Sequence, residues 1–464
     1  METIDNALAI AVDYAWGLPL LVALLGVGGI LTFYSRLIPF RYMRHAVEIL
    51  RGKYDRDDAP GDIDHFQALS TALASTLGMG NIGGVAIAIT QGGPGAIFWM
   101  WVAAVVGMAT KFFTCTLAVM YRGKDSEGKV QGGPMYYIEV GLGKRWRWLA
   151  VFFSVFGMIG CLAMFQSNQM AEILRESYDV PGWVTGVFTL IVVGAVILGG
   201  IGRIATVASR LVPAMCIVYL VMAVTVVAMN IGEVPAVFAR IFHDAFSGTA
   251  ASGGAAGIAW ITVIQTGIKR AAFSNEAGIG TAAMAHGAAK TDEPVREGLV
   301  AMLGPFIDTI LVCTLTAIVV LLGADWQGEG VRGASLTSEA FGAAMGPFGE
   351  IALMIVVVMF AMTTMFGYSY YGRKCFSYLF GAKHGRIYDG IYLVGLFIGA
   401  VWSADIVVNL LDTSFAMMAF PNLLAAAILA PRVMAAARDY FDRFSRGETS
   451  GQPNHKKPVD LAQK

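Results

Sequence analysis

Residues 66–92 read FQALSTALASTLGMGNIGGVAIAITQG, an apolar run long enough to cross a membrane but interrupted at its middle by Leu77-Gly78-Met79-Gly80-Asn81-Ile82-Gly83-Gly84. Each glycine weakens a helix by about 1 kcal/mol relative to alanine, so this cluster predicts a break. Irregular backbone at mid-membrane depth survives only where protein buries it or where it lines a cavity, because lipid offers no hydrogen bonds. A second run, 257–289, carries Phe273-Ser274-Asn275-Glu276-Ala277-Gly278-Ile279-Gly280. A packing face repeats small residues every fourth position, whereas here asparagine, serine and glutamate stand among the glycines. The expectation is two broken spans that frame a binding cavity.

The rest of the chain is of the same class. Of 464 residues, 56% are hydrophobic and 14% charged, with mean hydropathy +0.63, and apolar runs recur from end to end. That composition excludes an ordinary soluble enzyme and predicts an all-α polytopic membrane protein. Eleven transmembrane helices are placed near 15–35, 66–92, 95–121, 146–172, 182–200, 207–230, 257–289, 296–323, 347–371, 387–404 and 411–431. Nearly all of the 33 lysines and arginines then fall on one side, in 36–65, 122–145, 201–210, 290–296, 372–386 and 432–464. The opposite loops hold only Arg175, Arg240 and Arg332. Under the positive-inside rule the N-terminus is outside and the C-terminus cytoplasmic.

The two breaks lie five spans apart, so their spans enter from opposite faces, as inverted repeats require. The organisation read from this is an external tail and peripheral span (1–35), a cytoplasmic interfacial segment (36–65), a first repeat (66–230), an external loop (231–256), a second repeat (257–431) and a cytoplasmic tail (432–464). Met43, Ala46, Val47 and Leu50 share one face of the interfacial segment, with Arg44 and Arg51 placed to meet head groups. The polar tail is expected to be largely disordered. The start METIDNALAIAVDYAWG has no basic n-region and does not read as a cleaved signal peptide. Five cysteines, odd in number and without C-x-x-C spacing, read as free thiols, and no histidine pair has metal-site spacing. The chain contains no HExxH, G-x-S-x-G or P-loop, which argues against an intramembrane enzyme and against direct ATP drive.

ALSTALASTLGMGNIGGVAIAITQGGPGAIFWMWVAAVVGMATKFFTCTLAVMYR, GGPMYYIEVGLG, FSNEAGIGTAAMAHGAAKTDEPVREG and FIDTILVCTLTA resemble the alanine or glycine:cation symporter family across about residues 66–371. The resemblance implies a LeuT-like core of two five-helix inverted repeats in a bacterial inner membrane. It also implies import of a small neutral amino acid, alanine or glycine, with sodium as coupling ion, no further cofactor, no nucleic-acid partner and a monomeric working unit. It places the substrate carboxylate at Gly78, Gly80 and Asn81, with Thr76 nearby and Met79 limiting pocket size. Phe273, Ser274, Asn275 and Gly278 would complete the pocket, joined by Gln166. Sodium would be held by Thr363 and Thr364, opposite the carbonyls of Ala74 and Leu77. Relatives usually carry tryptophan before SYYG, whereas this chain has Tyr368 as the pocket floor.

Charges inside spans are costly and suggest function by default. Here they are Lys111, Glu172, Lys269, Arg270, Glu276 and Asp308; Lys269 and Arg270 lie on the outer approach to the second break, where they could form a gate or vestibule, and equally either could neutralise Glu276. Two alternatives stay open: a proton-coupled carrier titrating at Glu276, independent of sodium, and an ion channel, which single-channel currents would reveal.

Overall fold

A computed structural model of the chain describes residues 12, 14–56, 58–247, 256–328 and 333–448, with side chains other than those of 256–259, 404 and 405. The expected external tail, part of the 231–256 loop, Arg332 and the end of the C-terminal tail lie outside these residues. The described chain is almost entirely helical; its one named sheet is a hairpin pairing Gly123–Lys124 with Val130–Gln131.

Each expected span falls on a helix or a broken pair. In chain order the helices are α1 (Leu18–Tyr34), α2 (Met43–Leu50), α3 (His65–Thr76) with α4 (Met79–Gly92), α5 (Gly95–Met120), α6 (Arg147–Gly160) with α7 (Met164–Tyr178), α8 (Gly182–Ile197) and α9 (Gly200–Met229). There follow α10 (Val234–Ser247), α11 (Ala256–Asn275) with α12 (Ala282–His286), α13 (Pro294–Gly323), α14 (Ala334–Met345), α15 (Pro347–Phe380), α16 (Gly385–Val401) and α17 (Ala404–Ser445). Among the described residues, six helices are long and apolar enough to cross a membrane alone: α5, the α6–α7 unit, α9, α13, α15 and α17. The α3–α4 pair, bent by 41°, makes a seventh. Outward-facing Phe33, Ile191, Ile217, Val221, Ile355 and Val394 are exposed, as an apolar belt in contact with lipid requires.

Three differences from the sequence reading have local causes. The expected loop 201–210 is helix, since α9 begins at Gly200, whose φ of +71° turns the chain directly out of α8. The fourth span is also broken, at Cys161–Ala163, where Ala163 takes φ +52°. The tail expected to be disordered from 432 is helical through Ser445. Packing explains it: Phe441 stacks on Tyr42 at 3.8 Å, Tyr440 bonds His45 at 2.7 Å, and Arg443 pairs with Glu293 at 2.6 Å. Burial pushes the His45 imidazole down to about 4, so it packs there as the neutral ring.

α5 is the hub, lying against α1, α10, α11 and α13, while α15 packs on α3, α6, α9, α14 and α16. The two glycine-rich breaks are thereby enclosed.

Candidate substrate and cation site

The first break begins where α3 stops. Gly78 is extended, at φ −164°, and its N–H donates to Asn81 Oδ1 at 2.9 Å instead of the Ala74 carbonyl. Asn81 N–H in turn donates to the Gly78 carbonyl at 3.1 Å, not to Leu77. The carbonyls of Ala74 and Leu77 are therefore released from the helical ladder. On the other side, Met79 and Gly80 head α4, where N–H groups without helical acceptors and the positive end of the dipole favour an anion.

At the second break Glu276, Gly278 and Gly280 take φ of +55°, +90° and +100°. The Gly278 carbonyl accepts from Asn422 Nδ2 at 2.6 Å, and Asn422 is held by Tyr137. Asn275 caps Ala277 N–H at 2.9 Å and donates to Thr309 at 2.9 Å. Gly278 itself lies against Leu24 and Leu423.

The breaks touch. A Cβ on Gly80 would stand 3.2 Å from both Phe273 Cδ1 and Ser274 Cα. Asn81 Nδ2 donates to Ser274 Oγ at 3.2 Å and to Asp308 Oδ1 at 2.7 Å. Ser274 and Thr309 both donate to Asp308 Oδ2, at 2.7 and 2.8 Å. Asp308 is fully buried in a π-helical stretch of α13, Phe306–Cys313, that follows Pro305. Such bulges re-aim side chains and cluster at functional sites. All three donors converge on its two oxygens, the arrangement an ionised carboxylate needs when buried. The sequence reading marked Asp308 as a costly charge without giving it a place; it is the joint between the two breaks.

Aromatic rings wall the site. Phe273 stands edge-on to Phe165 at 5.2 Å and 6.0 Å from Phe415, which in turn lies 6.2 Å from Tyr368. Phe165 reaches Phe273 from just past the third break, and the next residue, Gln166, is buried with its Oε1 without a hydrogen-bond partner. Thr76 back-bonds to the Ala72 carbonyl at 3.2 Å, and Met79 is buried.

The paired threonines separate. Thr364 Oγ1 points at the first break, 2.3 Å from where a Cβ on Gly78 would lie, while Thr363 Oγ1 faces Met215 Sδ at 3.4 Å on α9. Both hydroxyls also bond the Phe360 carbonyl, at 2.9 and 3.0 Å.

The expected neutralisation of Glu276 by Lys269 or Arg270 does not occur. Both cations turn to Asp412 on α17, at 2.6 and 3.6 Å. Glu276 instead accepts from Thr281 at 2.5 Å, leaves Oε1 without a hydrogen-bond partner, and shares the field of buried Lys111 with Asp308. Glu172 bonds Gln169 at 2.7 Å, away from the breaks.

A profile described as the sodium:alanine symporter family matches residues 1–455. The chain belongs to the sodium:alanine symporter family. A member from Methanococcus maripaludis, the sodium/alanine symporter AgcS, is 42% identical over 436 residues, covering 92% of this chain and 95% of its own. A Haemophilus influenzae protein known as an uncharacterized transporter is also 42% identical, over 448 residues, covering 95% and 97%. A Bacillus subtilis protein named probable sodium/glutamine symporter GlnT is 34% identical over 452 residues, covering 96% and 93%. Among solved structures, MhsT with L-phenylalanine superposes with TM-score 0.53 at 12% identity, over 81% of this chain and 98% of that one. A sodium-coupled sialic acid symporter does so with TM-score 0.52 at 12% identity, over 90% and 97%. The fold of this family member is LeuT-like. It is a multi-pass membrane protein and a cation-coupled amino-acid transporter, not an enzyme.

Proposed function

We propose that this carrier imports alanine or glycine with sodium by alternating access, across a bacterial inner membrane that it spans eleven times, N-terminus outside and C-terminus in the cytoplasm. The observation that carries the reading is Asn81, whose amide caps Gly78 with its oxygen and reaches Asp308 and Ser274 with its nitrogen, so both breaks share one polar joint. The substrate carboxylate meets the N–H groups heading α4, and its ammonium meets the acceptors of Ser274, Gln166 and the Asp308 joint. Sodium, a hard cation that favours oxygen ligands, takes the freed carbonyls of Ala74 and Leu77 with the Thr364 hydroxyl. Thr363, facing α9, sits outside that set. Phe165, Phe273, Phe415 and Tyr368 pack ring to ring beside the joint, which supports a side chain no larger than a methyl group. The name of the Methanococcus relative supports alanine, and the concentration of basic loops on one side supports the orientation.

A proton in place of sodium is the second reading, carried by Glu276 with its unpartnered Oε1. Uptake of labelled alanine into proteoliposomes separates the two. Accumulation under an inward sodium gradient, inhibited by unlabelled glycine and abolished by choline, supports sodium import of a small amino acid. Accumulation that follows a pH gradient in choline supports Glu276.

A further inference from the structure

At the basic end of the bundle the inner halves of the two broken spans are fastened together, away from every residue of the site above. The approach to α3 and the exit from α12 run side by side: Asp62 N–H donates to the Ala288 carbonyl at 2.8 Å, Lys290 to Ile63 at 2.7 Å and Thr291 to Pro60 at 3.2 Å. Arg122, just after α5, spans both strands. Its guanidinium donates to the carbonyls of Gly287 at 3.0 Å, Pro60 at 3.0 Å, Thr291 at 3.1 Å and Ala289. One layer deeper, Glu297 of α13 joins His65 at the start of α3 to His286 at the end of α12, the latter at 2.5 Å, with all three side chains buried. Lys374 of α15 adds a bond from Nζ to the Met284 carbonyl of α12 at 3.0 Å. A cavity of about 490 Å³ opens against this layer, lined by Asp62, Tyr370, Lys374 and Asp389 and reaching Ser369, the neighbour of Tyr368 on the pocket floor.

We propose that this cavity is the release vestibule of the carrier and that Arg122, Glu297 and Lys374 form the gate separating it from the joint at Asp308. The gate side chains act on backbone or on histidines at the ends of half-helices, where carbonyls lack helical donors and need external ones. A planar guanidinium with five donors can bridge two strands at once, which a lysine ammonium, a single point charge, does poorly. Because Glu297 holds both half-helices through one carboxylate, breaking that contact frees α3 and α12 together. The bonds of Arg122, Glu297 and Lys374 are polar, so water entering from the vestibule can replace them, and beside them only a small apolar cluster of Ile63, Ala68, Ala205, Ala288 and Ala289 has to part. The gate rests on the proposed import and orientation, which put the basic end of the bundle on the release side, but it is independent of which amino acid or ion is carried.

The test uses the full chain in nanodiscs, where both faces meet reagent. Thr71, fully buried on α3 between the gate and the first break, becomes the reporter as Thr71→Cys. Its alkylation by a polar maleimide is followed at that peptide by mass spectrometry, so native thiols do not interfere. Arg122→Ala and Glu297→Gln are each expected to speed alkylation about tenfold or more, the effect of losing charge-assisted hydrogen bonds. Arg122→Lys is expected to speed it by about threefold and decides the matter if Arg122→Ala does not fold. Arg432→Ala is the control, since Arg432 also donates to a carbonyl, that of Gly141, but touches neither broken span. Unchanged rates in the folded Arg122 and Glu297 variants, or an equal rise in Arg432→Ala, overturn the proposal.

Discussion

At the first break one glycine leaves the helix in an extended conformation open to any residue, whereas at the second Glu276, Gly278 and Gly280 all take positive φ. The first break is thus held by a side chain, Asn81, and its glycine is required for space beside Thr364. The second is held by backbone conformation and by Asn422. Their chemistry differs in the same sense. The first leaves the Ala74 and Leu77 carbonyls and a half-helix N-terminus available, while at the second the Gly278 carbonyl and the Asn275 amide are bonded to neighbouring helices, and Phe273 and Ser274 precede the turn.

The strongest way to break this comparison is Gly280→Ala. Left-handed φ costs a non-glycine residue about 1–2 kcal/mol, and the new Cβ would fall 2.8 Å from Asn422, so a total loss of about 2–4 kcal/mol is expected. Thermal unfolding in detergent should show it, and adding Asn422→Ala should recover only part, because the conformational cost remains. Asp308→Asn tests the joint itself: sodium-driven uptake should fall about a hundredfold while the melting temperature moves little, since the amide oxygen still accepts from Asn81. Gly78→Ala sharpens the contrast with Gly280. Its extended backbone tolerates alanine, so the stability lost to the 2.3 Å clash with Thr364 should return in the Gly78→Ala/Thr364→Ala double variant, a coupling that a double-mutant cycle reads directly. The smallest expected effects separate the two threonines. Thr364→Ala should raise the sodium concentration for half-maximal uptake about tenfold and Thr363→Ala less than about twofold, in line with one ligand lost or none. Equal shifts would return Thr363 to the ion.

Both breaks were readable as glycine clusters carrying polar residues inside apolar runs, and the runs themselves marked where helices lie. What connects the breaks was not readable. Asp308 stands alone in an apolar stretch, and its partner Asn81 is 227 residues away. Asp412, at the start of the last span, carries no sequence signal that makes it the partner of Lys269 and Arg270. The third break has no glycine at its left-handed residue, Ala163, and Phe165 beside Gln166 carries no signal of its own. Pro431 read as the end of the last helix, yet α17 passes through both Pro421 and Pro431 because its flanks are packed on neighbours. Thr363 and Thr364 looked like a pair in one dimension and point to different helices in three.

On the proposed function, sodium and the amino acid bind together at the joint of the two breaks. The most direct test is equilibrium binding of labelled alanine to purified protein, with and without sodium, in the parent chain and in Asp308→Asn. Alanine binding that requires sodium in the parent and is lost in folded Asp308→Asn is the predicted result. Undiminished, sodium-dependent binding in Asp308→Asn would place the substrate and its ion elsewhere.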